Sequence, residues 1–377
     1  MARTKDIHQF DARTFEETVS KMRMRQEDVH DAGKQHRDQT GKLHPNVDIV
    51  GKPPRVCRNA MIPGTEAGTY LLARGISLPV LSLFDGTSST AHWLKDFFHA
   101  AERQYTLLDG VRTRYNPQLA SGVVQDVYNV RHDGLPVVQM AQFESDERSA
   151  DQVRLLLPAS MGNDSATEDY DLGLFYALSI LTDIWTFYSL KGYMTLTLDE
   201  IGRGFVSAEG VKEYLGQSGD FSRMDTCEIC RQLLERWHLF ILQVPTAGTY
   251  NQMLPRTSEW WAEQLGKSRV IQVTDPCLLA DVRATLIYVT EASNPTKQGL
   301  VEFFRSGADK PTIDAANLEM IWRWVHQAEE HFSTQSRLPG YQDIPRPGDV
   351  FAHYRHAWPI GHPRQDENIT PVESAAA

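Results

Sequence analysis

The sequence predicts an α/β protein with a doubly wound, mostly parallel sheet and helices on both faces. Residues 78–84 form a short, almost wholly apolar run, as expected for a strand buried on both sides. The run ends in Asp85-Gly-Thr-Ser-Ser89 and leads into a helical pattern over 91–103. Strand and helix patterns then alternate from 76 to about 290, which favours parallel strands joined by crossover helices.

The remaining elements follow in chain order. The apolar patterns predict strands over 121–127 and 136–143, joined as a hairpin by a turn at 131–134, and later strands over 193–198, 238–244 and 269–273. They predict helices over 145–156, 169–190, 208–215, 226–237, 258–265 and 278–289. We divide the chain into a polar N-terminal extension (1–55), an α/β domain (56–292) and a helical C-terminal appendage with a disordered tail (293–377).

Composition narrows the classes of function. The 377 residues carry a formal net charge of -11, which argues against a binder of nucleic-acid phosphates. We find no apolar run of the ~20 residues that a membrane span needs, and no signal-peptide core at the N-terminus. Four cysteines in a chain of this length do not form a disulfide framework. We therefore expect a cytoplasmic protein that binds neither membrane nor nucleic acid.

Three oxygen-rich loops stand out in the α/β region: Asp85-Gly-Thr-Ser-Ser89, the loop 164–169, and Asp199-Glu200. Each lies after a predicted strand or before a predicted helix, and open α/β sheets bind ligands at the carboxyl ends of their strands. Carboxylates and hydroxyls suit a hard cation such as Mg²⁺ or Ca²⁺. A Ser/Thr-rich turn that only caps a helix has the same composition, so both interpretations stay open at this point.

The order of these loops resembles a von Willebrand factor type A (VWA) domain with its metal-ion-dependent adhesion site. Asp85, Thr87 and Ser89 match the Asp-x-Ser/Thr-x-Ser motif after the first strand of that family. Asp199 matches its third loop, and Thr167 matches the middle-loop hydroxyl, with Ser165 as the substitute. The resemblance covers about 76–292. It implies a three-layer, Rossmann-like fold and a Mg²⁺ ion (or Ca²⁺ or Mn²⁺) held by these five residues.

The resemblance also implies a function. In this family the open position on the metal captures a carboxylate that a partner protein offers. We therefore expect an intracellular adaptor or scaffold with no catalytic residue of its own, and the resemblance implies an AAA+ ATPase as a partner.

Two other functions stay open. A metal-dependent hydrolase or phosphoryl-transfer enzyme would use the same acidic pocket, with Asp199 or Glu200 as base. Alternatively, the site holds no metal and the terminal extensions carry the binding.

Glu168 and Asp169 either stabilise the start of a helix or contact the metal ligands without binding the metal themselves. We interpret Cys227 and Cys230 as packed thiols.

Overall fold

A six-stranded sheet lies at the centre of the computed structural model, which describes residues 31–90, 93–159, 167–245, 253–305 and 313–352. The strands are β1 Ile76–Asp85, β2 Tyr115–Val124, β3 Val138–Met140, β4 Gly192–Leu198, β5 Trp237–Gln243 and β6 Val270–Gln272. Their order across the sheet is β6-β5-β4-β1-β2-β3. Neighbours are parallel except for β2 and β3. The mixed α/β architecture and the mostly parallel sheet that the sequence predicts are therefore confirmed.

The long strands are apolar because both of their faces are covered. All ten residues of β1 are buried, as are all seven residues of β4 and of β5. Successive residues of β1 enter different clusters: Val80 and Phe84 belong to one cluster, whereas Leu81 and Leu83 belong to the other. Since successive side chains of a strand point to opposite faces, each face of the sheet has its own hydrophobic core.

The described ranges contain twelve α-helices, most of which supply hydrophobic side chains to one of the two cores. They are α1 Asp31–Thr40, α2 Leu94–Leu107, α3 Val127–Asp133, α4 Arg148–Val153, α5 Tyr170–Leu178, α6 Asp183–Tyr188, α7 Ala208–Leu215, α8 Thr226–Arg236, α9 Leu254–Leu265, α10 Leu279–Glu291, α11 Lys297–Arg305 and α12 Ala315–Val325. Helices α2, α10 and α12 supply buried residues to the first cluster, and α5, α8 and α9 supply the second.

Short strands and 3₁₀ turns complete the architecture. Two parallel pairs join Val56–Cys57 to Leu181–Thr182 and Thr167–Glu168 to Ile201–Gly202, and an antiparallel pair joins Phe205–Ser207 to Arg223–Asp225. A three-stranded sheet contains Met61–Pro63, Thr69–Leu72 and Val350–Ala352. The 3₁₀ segments are Leu108–Val111, Lys267–Arg269, Pro276–Leu278, His326–His331 and Gln335–Arg337.

Apart from shifted element ends, the structure differs from the predicted elements in two places. The antiparallel pair β2–β3 is present, but helix α3 joins its strands where we predicted a turn, and Gly134 ends α3 with a left-handed φ of 63°. The predicted helix over 169–190 is divided into α5 and α6. It breaks because Leu181 and Thr182 pair with the strand at 56–57 instead of continuing the helix.

The described parts of both flanking segments pack on the central unit. Val47 and Ile49 are buried, and Asp48 forms a bridge to Gln139 on the outer edge of β3. Buried Arg55 donates from Nε to the Met140 carbonyl oxygen at 3.0 Å, so this segment covers a sheet edge. On the C-terminal side, α11 and α12 extend the first core. The predicted tail after 352 lies outside the described residues.

Candidate metal centre

Two of the predicted loops begin at adjacent strand ends. Asp85 is the last residue of β1, and Asp199 comes directly after β4. The two strands are parallel neighbours in which Phe84 pairs with Thr197, so both acidic residues emerge at the same edge of the sheet. The strand order reverses between β1 and β4, and such a switch point is where doubly wound sheets form ligand crevices.

The first loop folds tightly around the Asp85 carboxylate, which is fully buried. Oδ1 accepts hydrogen bonds from the Thr87 backbone nitrogen at 2.8 Å and from Thr87 Oγ1 at 2.7 Å. The Ser89 hydroxyl lies 3.2 Å from Thr87 Oγ1. Thr90 Oγ1 closes the turn by donating to the Asp85 carbonyl oxygen at 3.0 Å. The first loop therefore places the Asp85 carboxylate close to the hydroxyls of Thr87 and Ser89.

Asp199 completes the contact between the loops. The Tyr170 hydroxyl donates to Asp85 Oδ2 at 2.7 Å and lies 3.5 Å from Asp199 Oδ1. The Ser89 hydroxyl also bonds the Asp199 side chain. Asp199 Oδ2 is buried and has no hydrogen-bond partner within the described part of the chain. Burial, followed by the charge of Asp85, raises the pKa of Asp199 well above its ordinary value.

The middle loop is described only from its end. Thr167 is half-buried and pairs with Ile201, two residues after Asp199. The rest of the predicted loop, including Ser165, lies outside the described residues. The structure thus brings Asp85, Thr87, Ser89 and Asp199 together. Thr167 lies on the short strand Thr167–Glu168, which pairs with Ile201–Gly202 just after Asp199.

Further acidic groups surround this point. Asp126 follows β2, Glu168 follows Thr167, and Glu200 follows Asp199; each is at most 7% exposed. The Asp126 and Glu168 side chains are hydrogen-bonded to each other, and burial is the main cause that raises the pKa of both. Burial and the charges of Asp85 and Asp126 raise the pKa of Glu200 to about 7. Glu168 Oε2 and Glu200 Oε2 are buried with no partner among the described residues.

Sequence reasoning missed Asp126 and Tyr170. We predicted a strand to residue 127, which hid the position of Asp126 two residues after the end of the strand at Val124. Tyr170 is the first residue of α5 and reaches Asp85 across the sheet edge, a contact with no local sequence signal.

Arg203 is a basic residue beside this acidic cluster. It forms an ion pair with Asp169 and lies 4.0 Å from Asp126.

The donor set fits a hard divalent cation. It contains oxygen only, and two carboxylates with two or three hydroxyls match the ligands that Mg²⁺ takes while it retains waters. No group of three or more His, Cys, Asp or Glu positioned to hold a metal occurs within the described ranges, so such a site depends on the hydroxyls as well. Asp199 Oδ2 is buried and has no hydrogen-bond partner among the described residues, and a bound cation would give this oxygen an interaction partner.

Comparison with known proteins identifies no family. No protein-family model and no curated protein matches the chain. Solved structures with partial likeness include the pilus adhesin SpaC from Lactobacillus rhamnosus GG in its open conformation, with a TM-score of 0.42 and 11% identity over 60% of this chain. Another is proximal thread matrix protein 1 from the mussel byssus, with a TM-score of 0.32 and 13% identity over 55% of this chain. The aligned part spans 33% and 44% of those chains.

In the described ranges, no helix combines the length and apolar character required to cross a bilayer.

Proposed function

We propose that the chain is a VWA-type adaptor or scaffold that binds a partner protein through a divalent cation. Mg²⁺ is the preferred ion, with Ca²⁺ or Mn²⁺ as substitutes, and its ligands are Asp85, Thr87, Ser89, Thr167 and Asp199. The observation that supports this most is the meeting of Asp85 and Asp199 at the switch point, where Tyr170 contacts both carboxylates.

The arrangement of the sheet supports the same proposal. Counted from β3, the strand order 3-2-1-4-5-6 is the standard order of doubly wound nucleotide-binding folds, here with an antiparallel edge strand. A hydrophobic cluster with its own helices lies on each face. We therefore propose the three-layer VWA architecture for the region around 76–292.

The cluster of buried acidic side chains at the candidate site explains why a cation would bind there. Asp85, Asp126, Glu168, Asp199 and Glu200 are all buried at one sheet edge. Burying several carboxylates together is costly unless a cation compensates them. A bound Mg²⁺ offsets part of that charge and keeps a position for an oxygen ligand from outside. The partner we propose offers an Asp or Glu side chain.

The proposed cellular compartment and the proposed class of partner rest on the sequence alone. The cysteine content favours the reducing cytoplasm, and family analogy favours an assembly that contains an AAA+ ATPase. These two statements stay predictions.

The test measures cation binding and partner binding in one set of variants. Titration calorimetry of the chelator-treated protein with MgCl₂ or MnCl₂ should show one site, which Asp85→Ala removes. Asp220→Ala, which changes an exposed carboxylate, is the matched control and should bind as the wild type does. Pull-down from the native host should lose the same partners with EDTA and with Asp85→Ala. Partner capture that neither treatment changes would contradict the proposal.

A metal-dependent hydrolase or phosphoryl-transfer enzyme is the second candidate, because Glu200 carries a buried, unpartnered carboxylate oxygen next to Asp199. The enzyme hypothesis predicts metal-dependent hydrolysis of a phosphoester such as p-nitrophenyl phosphate, lost in Asp199→Asn. Absence of turnover in the cation-loaded wild type would favour the adaptor.

A further inference from the structure

A separate cavity of about 220 Å³ opens at the other end of the sheet. Its lining includes Tyr115, which begins β2, whereas Val124 ends that strand beside Asp85. Ten residues of strand span roughly 30 Å, so the cavity and the candidate metal centre lie at opposite sheet edges. Nothing proposed for the metal centre uses the cavity, and the two can be tested independently.

The acidic group of the cavity is already engaged by the protein. Glu291, the last residue of α10, accepts hydrogen bonds from the Tyr115 hydroxyl at 3.0 Å and from the Tyr193 hydroxyl at 2.8 Å. The Tyr341 hydroxyl donates to the Glu291 carbonyl oxygen at 3.0 Å. Both carboxylate oxygens therefore have donors before any ligand arrives.

The basic group of the cavity is only partly engaged. The Arg114 guanidinium lies 3.5 Å from the ring centroid of Tyr341 and donates from Nη2 to the Tyr341 carbonyl oxygen. Arg114 Nε is buried and has no hydrogen-bond partner within the described residues. Arg114 as a whole is half-buried and lines the cavity, so its guanidinium charge favours a ligand that offers an anionic oxygen.

Much of the remaining wall is aromatic, and Gly110, Val111, Thr113 and Ala292 form the rest of it. Tyr288 and Phe303 pack with ring centroids 5.3 Å apart, and Tyr115 and Tyr341 supply two further aromatic rings. A cavity of about 150 Å³ lined by apolar side chains accommodates benzene, so 220 Å³ is enough for one ring and a small polar substituent.

We propose that this cavity binds a small aromatic carboxylate, with the ring between the aromatic walls and the carboxylate on Arg114. A cationic ligand fits less well, because the guanidinium of Arg114 already covers the face of Tyr341 and would repel it. Glu291 attracts Arg114 by its charge, but among the described residues its carboxylate oxygens are hydrogen-bonded to the two tyrosine hydroxyls and not to Arg114.

Benzoate is the probe, and its binding to the full chain is followed by titration calorimetry and by ligand-observed NMR. Benzylamine and benzyl alcohol are the matched ligands, with the same ring and a cationic or neutral substituent. We expect a dissociation constant on the order of 0.1 to 1 mM for benzoate and at least roughly tenfold weaker binding of both matched ligands. Addition of EDTA should leave benzoate binding unchanged.

Two variants separate the contributions of the charge and of the space. Arg114→Lys keeps the charge but loses the planar stacking and Nε, and should weaken benzoate roughly tenfold. Ala292→Leu fills the cavity from its half-buried lining and should abolish binding, while circular dichroism shows a folded protein. The proposal is overturned if benzoate does not bind, if the three ligands bind equally, or if folded Ala292→Leu binds benzoate as the wild type does.

Discussion

Tyr170 is the side chain on which the geometry of the candidate metal centre depends most. Its hydroxyl gives Asp85 Oδ2 a donor at 2.7 Å and lies 3.5 Å from Asp199 Oδ1, so together with the Ser89 hydroxyl it links the two carboxyl groups. A hydroxyl cannot neutralise either charge, so it organises the carboxylates without removing the repulsion between them. The residue-scale predictions therefore concern what a cation adds to this arrangement.

Replacing Tyr170 with Phe should destabilise the cation-free protein by about 1.5 to 3 kcal/mol, the usual contribution of a hydrogen bond to a charged group. Saturating Mg²⁺ should reduce that loss, because the ion supplies Asp85 with another partner. Urea unfolding with and without MgCl₂ measures both quantities. Tyr105→Phe, which removes a hydroxyl that donates to the Ser145 carbonyl oxygen at 3.2 Å, should cost the same in both conditions. An equal response of the two variants to Mg²⁺ would count against the site.

Asp199→Asn should separate stability from binding. The amide keeps the shape of the side chain and removes a buried carboxyl group. Burial and the charge of Asp85 raise the pKa of this carboxyl, which means that its ionisation opposes folding as the pH rises. The cation-free variant at pH 8 should therefore be at least as stable as the wild type. Mg²⁺ affinity should fall by roughly 100-fold or more, because a ligand is lost. Thermal unfolding and calorimetric titration provide the two readouts; a marked loss of stability with unchanged affinity is the contrary result.

At the scale of single elements, the tight turn after β1 depends on Gly86. A Cβ at this position would lie 2.0 Å from Val123 Cγ1, so the first loop approaches β2 too closely for any side chain. The Gly86 nitrogen also donates to the Val124 carbonyl oxygen at 2.8 Å, which fixes the loop on the neighbouring strand. Loop position and cation binding are therefore coupled through this contact.

Gly86→Ala should cost about 1 to 3 kcal/mol through overpacking and should weaken Mg²⁺ binding, since the loop must move away from β2. The double variant Gly86→Ala/Val123→Ala removes the methyl group that collides and should recover part of the affinity. Affinities are compared by titration, with Val123→Ala alone as the reference for the lost core methyls. Unchanged affinity in Gly86→Ala would show that the loop position does not matter.

For the whole molecule, Glu291 should make stability depend on pH. Burial raises the pKa of this carboxyl from its ordinary 4.5 to about 7. The folded state therefore holds the proton more tightly than the unfolded state, so the contribution is fully present below pH 4.5 and is lost as the pH rises through 7. The loss from this group is on the order of 3 kcal/mol.

Glu291→Gln removes the titration, so the difference in unfolding free energy between wild type and variant should change by most of that amount from pH 5 to pH 8. Urea unfolding at several pH values measures it. The comparison is made as a difference because other buried carboxyls, such as Asp171 with a pKa near 6, titrate in the same window in both proteins. A difference that is independent of pH would contradict the expectation.

The sequence predicted the parts of the fold whose pattern is local. Strands β1, β4 and β5 are continuous apolar runs because both of their faces are buried, and such runs are visible without a structure. The positions of Asp85 and Asp199 followed from these strand ends. Asp126 required the correct end of β2, and Tyr170 required knowing which helix reaches the sheet edge. Contacts between distant elements have no signature in a single stretch of sequence.

The most direct measurement is a crystal structure of the chain grown with MnCl₂, with anomalous diffraction data collected to locate manganese. We predict one strong anomalous peak between the Asp85 and Asp199 side chains, with Thr87 and Ser89 hydroxyls among its ligands. A manganese-containing crystal with no peak there, or with these two carboxylates turned apart, would contradict the proposed metal centre and the partner binding that depends on it.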